Sequence, residues 1–287
     1  MMMSLMSKLL STTLLATLSI SAASTEADVK DYIKNHLIKN NSVKVKDVDI
    51  LEKKSIKELK GWDIYFVNIH AEVKKTPTIT DVVTVPETIF VKDGIAANSL
   101  IDMKTGRDYH MTLKPKLKDN VYDEKHLIVG NKDAKHKIVI FSDPQCPFCQ
   151  KKVPEIYKAV KENPETFALY YYHFPLLRIH PVSDIITRAM LVEQSKKNFD
   201  KVIEMYGFEI DPREVNLTKV LDKLNSKFDL KLTEKQIDSK EIEKELKYDQ
   251  KIATEAMISG TPTVFLDSVW DKSRVEYKKL IPDDKKK

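Results

Sequence analysis

The sequence is poor in glycine and cysteine, and it lacks any large block of one charge. Six glycines occur among 287 residues. No two are spaced as a P-loop or a G-x-G-x-x-G turn requires, which excludes both kinds of phosphate-binding loop. Lys and Arg number 48 against 43 Asp and Glu, a mixed balance that does not indicate a nucleic-acid groove. Hydrophobic residues make up 42% of the chain, enough for a globular core, and the length suits two domains.

Residues 1–23 have the composition of a secretory signal peptide. They carry one charge, Lys8, followed by an apolar run and the small residues Ser21-Ala22-Ala23. The run is shorter than the roughly 20 residues that a bilayer span needs, and no later segment is long and apolar enough. We therefore expect export, which means the periplasm in a bacterium with an outer membrane. A retained N-terminal anchor is the alternative.

The two cysteines, Cys146 and Cys149, are three residues apart. Exported chains of this size often carry structural disulfides. The only intramolecular disulfide available here closes a very short loop, which removes little entropy from the unfolded chain. The pair is therefore a poor structural cross-link and is better suited to reversible redox chemistry.

Residues 24–103 are predicted to form a small α+β domain. A short amphipathic helix over residues 28–39 precedes several β-type segments, with a hairpin turn at Asp93-Gly94. The predicted strands cover residues 45–50, 64–73, 85–91 and 95–101. Such a sheet cannot enclose a large core alone, and it has edges free to pair. We therefore expect this domain to form a homodimer.

From residue 126 the pattern becomes α/β, after a polar linker over residues 104–125. A continuous apolar run predicts a strand buried on both faces, and a helix and a second strand follow it as a βαβ unit. A long, largely helical stretch then precedes a last strand. These elements are predicted at residues 138–141, 146–163, 167–172, 181–259 and 263–266, with one turn or strand near 109–113 and a closing helix at 277–281.

The Cys-x-x-Cys pair lies where the first of these strands passes into its helix. Cys146 falls at the helix N-terminus, where unpaired N–H groups and the helix dipole favour a thiolate. Pro147 suits a first helical turn because it has no N–H to lose. Cys149, one turn deeper, can attack a mixed disulfide at Cys146. Zinc ligation is the alternative, but zinc needs four ligands and the seven histidines show no paired spacing.

Several other residues are candidates for a role in structure or chemistry. Gly260-Thr261-Pro262 stands at the entrance of a strand, which predicts a cis peptide bond before Pro262. Asp143 is interpreted as a turn residue before Pro144. The remaining candidates are interpreted as strand, structural or solvated residues: Tyr170-Tyr171-Tyr172, His173 and His180, and Lys285-Lys286-Lys287.

On these motifs, residues 126–287 resemble the thioredoxin-fold disulfide oxidoreductases of the Dsb type. The resemblance rests on Gly130-Asn131-Lys132-Asp133-Ala134, Phe141-Ser142-Asp143-x-x-Cys146-Pro147-Phe148-Cys149, Pro154 and Gly260-Thr261-Pro262. It implies an α/β thioredoxin-like fold whose insertion, about 181–259, looks like that of DsbA-like proteins. The N-terminal domain and linker are similar in layout to DsbC and DsbG, where such a unit forms the dimer.

The resemblance also implies roles for residues. Cys146 is the expected nucleophile and Cys149 the resolving thiol, with no bound cofactor and no metal. Thr261 and Pro262 are expected to face the pair and hold a substrate backbone, with Pro147 and Phe148 as supporting residues. The strand 138–141 departs from the pattern because it lacks the buried acid that such strands often carry, which leaves the proton of Cys149 without an obvious acceptor.

The implied function is that of a periplasmic thiol:disulfide oxidoreductase, an isomerase or reductase acting on exported proteins with thiols or disulfides. An inner-membrane partner of the DsbD or DsbB type would reset the thiols, and no nucleic acid is involved. A DsbA-like oxidase is the first alternative. A holdase that captures unfolded chains and a carrier of Cu(I) or zinc are the others.

Overall fold

The computed structural model describes residues 24–76 and 78–283, which form two β-sheets. The predicted signal peptide and the tail Lys285-Lys286-Lys287 lie outside the described residues. Within that part of the chain, no helix is long and apolar enough to cross a membrane.

The N-terminal sheet is antiparallel, with its four strands in chain order. Helix α1 and a following π-helical turn at Ile33–Leu37 pack Val29 and Ile33 against one face, as the amphipathic pattern predicts. Asp93 and Gly94 both have positive φ, 49° and 77°, as the two central residues of a type I′ hairpin turn require. The elements are α1 (Glu26–Tyr32), β1 (Val43–Ser55), β2 (Asp63–Lys74), β3 (Thr80–Lys92) and β4 (Ile95–Ala97).

Strand β4 is shorter than predicted. The apolar pattern suggested a strand over residues 95–101, but the ladder with β3 ends at Ala97. Leu100 turns inward against the apolar face of the sheet, and Ile101 makes an isolated bridge with Asp108. Burial of Leu100 therefore overrides the continuation of the strand.

The predicted linker is bound to both sheets. Its one helical turn, α2 (Tyr109–Thr112), is capped by Asp108. Beyond it, the backbone N–H of Lys116 donates to Glu52 of β1 at 2.6 Å. The backbone N–H of Leu117 donates to the carbonyl of Ser268 at 3.0 Å.

The second sheet has the strand order β5-β7-β6-β8-β9. Strands β6 and β7 are parallel and joined by the crossover helix α3, which confirms the predicted βαβ unit, and β8 runs antiparallel to β6. Gly130, at φ 92°, lies where β5 meets β7, and a Cβ there would come within 2.1 Å of the Phe167 carbonyl oxygen. The elements are β5 (Leu127–Gly130), β6 (His136–Ser142), α3 (Pro147–Glu162), β7 (Phe167–His173), β8 (Thr263–Leu266) and β9 (Val269–Trp270).

Most of a helical insertion between β7 and β8 covers one face of this sheet together with α3. Near its end, Ile252 and Ala253 pack on the opposite face. A capping box at Thr233 begins one of its helices. The insertion comprises α4 (Ser183–Ser195), α5 (Phe199–Glu204), α6 (Leu217–Phe228), α7 (Glu234–Ile237) and α8 (Lys240–Glu255). The predicted closing helix is a 3₁₀ segment, Glu276–Leu280. Thus the second sheet has the thioredoxin-like α/β topology with a helical insertion.

Candidate active site

The two cysteines lie at the N-terminus of α3, as predicted. Strand β6 ends at Ser142, and Cys146 is the residue that caps α3, with Pro147 in the first helical position. Both thiols are free. Cys146 is 6% exposed, whereas Cys149 is completely buried. An incoming disulfide can therefore reach only the Cys146 sulfur.

The surroundings of Cys146 favour its thiolate. The Cys149 thiol hydrogen-bonds to it, and the Thr261 hydroxyl and the backbone N–H groups of Cys149 and Phe148 add further donors. Together these donors outweigh burial and lower the pKa of Cys146 to about 5. Donation from a helix N-terminus to a thiolate is the effect that the sequence position predicts.

Cys149 has the opposite character. Burial raises the pKa of its thiol far above the ordinary value, and the hydrogen bond to Cys146 raises it further. The Ser142 hydroxyl and the backbone N–H of Asp143 lower the pKa of Cys149, because both stabilise a negative charge on its sulfur, but their effect is smaller than that of burial. Cys149 is therefore a protonated thiol at neutral pH.

The Thr261–Pro262 turn lies directly beside Cys146. The Thr261–Pro262 bond is cis, as predicted. The Cys146 thiol donates to the Thr261 carbonyl at 3.4 Å, and the Pro262 carbonyl accepts from the side chain of Arg274 at 2.9 Å. The Thr261 hydroxyl is buried and has no partner within hydrogen-bond limits among the described residues. It lies close enough to Cys146 to favour the thiolate of that residue.

The surface around Cys146 is apolar. Phe148, between the two cysteines, is 71% exposed. The nearby turn 176–180 carries two more exposed side chains, Leu177 and Ile179, and it is held at the active site by its hydrogen bonds to Asp143.

Asp143 is not only the turn residue that the sequence indicated. Its carboxylate does accept from the backbone N–H of Gln145, as an Asx turn requires. It is also completely buried and accepts from the backbone N–H of Leu176, the His180 ring and the Ser183 hydroxyl. These partners are 33 to 40 residues away in sequence, so no local pattern could reveal them. Asp143 thus joins β6 to the insertion.

The tyrosines 170–172 are buried strand residues, as interpreted from the sequence, and do not form a binding platform. His173 is also buried, and desolvation lowers its pKa to about 3, so it stays neutral. Tyr206, from the 3₁₀ turn Met205–Gly207, was not singled out in the sequence, yet its hydroxyl donates to Ser142 at 2.6 Å. Its separation of 64 residues from Ser142 left no signal to find it.

A second buried charged group lies at the start of β5. His126 is bonded to Asp123 at 2.7 Å and to the completely buried Asp249 at 2.8 Å, and its ring stacks on Tyr172 with centroids 4.0 Å apart. Burial works against its charged form, but the two carboxylates prevail and raise the pKa of His126 to about 9. The charged ring joins β5 to α8.

The described residues contain no group of three or more His, Cys, Asp or Glu side chains arranged to hold a metal ion.

Comparisons with known proteins agree with this topology. A family model described as Thioredoxin matches residues 122–281, more than half of the chain. A search of curated proteins finds no match.

Solved structures with a similar fold include a thioredoxin-like oxidoreductase from Silicibacter pomeroyi DSS-3, with 19% identity, 57% of this chain and 99% of that chain covered, and a TM-score of 0.47. Oxidised BdbD from Bacillus subtilis has 16% identity, coverage of 58% and 93%, and a TM-score of 0.46. ScsC from Proteus mirabilis in a transitional conformation has 23% identity and a TM-score of 0.44, and the match covers 56% of this chain and 72% of that chain. At this level of similarity none of them supports a functional argument.

The family match spans the same stretch of chain as the second sheet, its insertion and the thiol pair. The protein therefore belongs to the thioredoxin family.

Proposed function

We propose that this protein is a periplasmic thiol:disulfide oxidoreductase that isomerises or reduces disulfides in exported proteins. The difference between the two sulfurs carries the proposal. Cys146 has a pKa of about 5 and reaches the surface, whereas Cys149 is buried and protonated. The thiolate is the attacking species in disulfide exchange, so Cys146 is ready to react at neutral pH.

The chemistry begins when the Cys146 thiolate attacks a substrate disulfide. A bond forms between Cys146 and one substrate sulfur, the substrate S–S bond breaks, and the other substrate sulfur leaves as a thiolate with the electron pair. In isomerisation that thiolate attacks another disulfide of the same substrate, and Cys146 is finally released unchanged. In reduction Cys149 attacks Cys146, so the pair is oxidised and an inner-membrane donor of the DsbD type must reduce it again.

Substrate recognition is assigned to the Thr261–Pro262 turn and to the apolar surface. The turn lies within hydrogen-bond distance of Cys146 and is suited to hold an extended backbone while exchange takes place. The exposed ring of Phe148 adds apolar contact next to the reacting sulfur. Misfolded chains expose the apolar side chains that such a surface binds.

The isomerase direction rests on the residues between the cysteines. Phe148 offers no charge to stabilise a thiolate, so the disulfide should be less oxidising than one with a cationic residue at that position. The N-terminal sheet is proposed to form a homodimer that holds one substrate between two thioredoxin-like domains. Periplasmic localisation follows from the predicted signal peptide.

A DsbA-like oxidase is the second candidate, and one observation favours it. A pKa of about 5 at Cys146 stabilises the reduced form, and a stabilised reduced form makes the disulfide a stronger oxidant. In that role the pair must be kept oxidised in the cell by a partner of the DsbB type.

Refolding of ribonuclease separates these functions. The reduced protein should restore activity to scrambled, multi-disulfide ribonuclease, and Cys146→Ser should abolish this while leaving the fold intact. An oxidase would fail with the scrambled substrate and rapidly oxidise reduced ribonuclease instead. If Cys146→Ser retained full activity as a suppressor of aggregation and the cell showed no defect, the holdase alternative would replace both.

A further inference from the structure

The buried sulfur of Cys149 must act as a nucleophile although burial holds its pKa far above the ordinary value. Residues 138–141 of β6 offer no polar side chain to help it, because all four are apolar and buried. The nearest buried carboxylate, Asp143, is already occupied by donors from Gln145, Leu176, His180 and Ser183. Any assistance to Cys149 must therefore come from neutral groups.

Three buried hydroxyl groups form a chain that ends at this sulfur. The Ser142 hydroxyl lies beside the Cys149 sulfur, where it favours the thiolate and lowers the pKa. The Tyr206 hydroxyl donates to the Ser142 oxygen at 2.6 Å, and the Tyr171 and Tyr206 hydroxyls are also 2.6 Å apart. All four side chains are buried. Because Tyr206 uses its proton toward Ser142, the Ser142 proton is free to point at the sulfur.

Both tyrosines stay neutral in this position. Desolvation raises the pKa values of Tyr171 and Tyr206 well above the ordinary value. They therefore keep their protons and remain donors at every pH at which the protein works. Hydrogen bonds in a dry chain of this kind polarise one another, so the last donor is stronger than an isolated serine hydroxyl.

We propose that Tyr206 and Ser142 are positioning residues for the resolving step, directing O–H donors at the Cys149 sulfur in place of a buried acid. This inference rests on the proposed thiol:disulfide exchange at Cys146. In the step, the Cys149 sulfur bonds to Cys146 as the bond between Cys146 and the substrate sulfur breaks. The substrate sulfur leaves with the electron pair and takes up the proton that Cys149 gives up.

The donors act on the charge that develops on Cys149 during its attack. A hydrogen bond to a charged atom is stronger than one to a neutral thiol, so the chain stabilises the reacting form more than the resting form. Tyr206 belongs to the helical insertion. The insertion thus supplies a group for the chemistry as well as covering the sheet.

The test mixes the purified, reduced protein with one equivalent of the aromatic disulfide dithiobis(nitrobenzoate). Attack by Cys146 releases a first coloured thionitrobenzoate, and attack by Cys149 on the mixed disulfide releases a second. The chain has two cysteines, so each release reports one sulfur. Tyr206→Phe and Ser142→Ala should each slow the second release by about tenfold or more and leave the first unchanged. Ser142→Thr, which keeps the hydroxyl, should restore the second release.

Tyr172→Phe is the matched control. Tyr172 is a buried neighbour of Tyr171 on β7. Its hydroxyl donates to the Val121 carbonyl at 3.0 Å and not to the hydroxyl chain that leads to Cys149. Both releases should keep their wild-type rates in this variant, and the ultraviolet absorbance of the Cys146 thiolate should titrate normally in all four variants.

The proposal is overturned if Tyr206→Phe and Ser142→Ala both leave the second release unchanged, or if both slow the two releases equally. Ser142→Ala removes a single oxygen and keeps the proposal testable if the larger change at Tyr206 prevents folding. A wild-type protein that gives no second release would refute the proposed function itself, whatever the variants do.

Discussion

Replacing Cys149 with alanine should raise the pKa of Cys146. The hydrogen bond from the Cys149 thiol is the largest contribution to the thiolate of Cys146, whose pKa is about 5. Alanine removes that donor and leaves the backbone N–H groups and the Thr261 hydroxyl in place. A serine side chain has nearly the same length as cysteine and can still donate a hydrogen bond to Cys146, so Cys149→Ser is the matched control.

The size of the effect follows from the strength of such a bond. A hydrogen bond to a charged group contributes about 1.5–3 kcal/mol, and one pKa unit corresponds to about 1.4 kcal/mol. The pKa of Cys146 should therefore rise by about one to two units in Cys149→Ala. In Cys149→Ser it should stay near 5.

The assay is thiolate absorbance in the ultraviolet, followed against pH in each variant. Each variant keeps one of the two cysteines of the chain, so the whole signal belongs to Cys146. If both variants titrate at the same low pH, the helix N-terminus carries the effect without Cys149. Titration of both near the ordinary value of 9.0 would show that Cys146 is not activated at all.

Four further outcomes are expected. Asp143→Ala should lower the free energy of unfolding by about 3 kcal/mol or more, measured in urea, because it leaves buried donors unpaired; a loss under about 1 kcal/mol would contradict the assigned contacts. The pairing of His126, whose pKa rises from 6.5 to about 9, should stabilise the fold fully below pH 6.5 and be lost as pH rises through 9, and His126→Gln should abolish this decline in denaturation measurements. The pKa of Cys146 is lowered from 9.0 to about 5. The stabilisation that its thiolate gives to the reduced form is therefore complete above pH 9 and lost as pH falls through 5, so the reduced form should gain stability relative to the disulfide form as pH rises from 5 to 9. Sedimentation should give a dimer for a chain beginning at Ser24 and a monomer for one beginning near Asp119, and equal monomer masses would refute the dimer.

The parts of the structure that the sequence predicted depend on residues close together in the chain. The Cys146-x-x-Cys149 spacing, the turn at Asp93-Gly94 and the proline after Thr261 each determine local backbone geometry with little help from elsewhere. The continuous burial of β6 and β7 is similarly visible as apolar runs. For these elements the local pattern and the fold agree.

The parts that were missed depend on distant partners. Asp143 looked like a turn residue because its one local bond, to Gln145, is the only one that the sequence can show. Tyr206 is an ordinary aromatic residue in an irregular stretch until the fold brings it to Ser142. Strand β4 ended early because Leu100 found an apolar partner outside the local pattern. Each of these outcomes is decided by tertiary packing.

The attachment of the linker determines how the thiols can be presented. A free coil of its length would let its ends separate by roughly 26 Å in any direction. Instead, the half-buried Lys114 side chain donates to the carbonyl of Met257, which lies four residues before Thr261. The Met257 side chain packs against the N-terminal sheet. A partner that binds the N-terminal sheet would therefore also determine the direction in which Cys146 faces. Orientation, and not tether length, selects which disulfides come within reach.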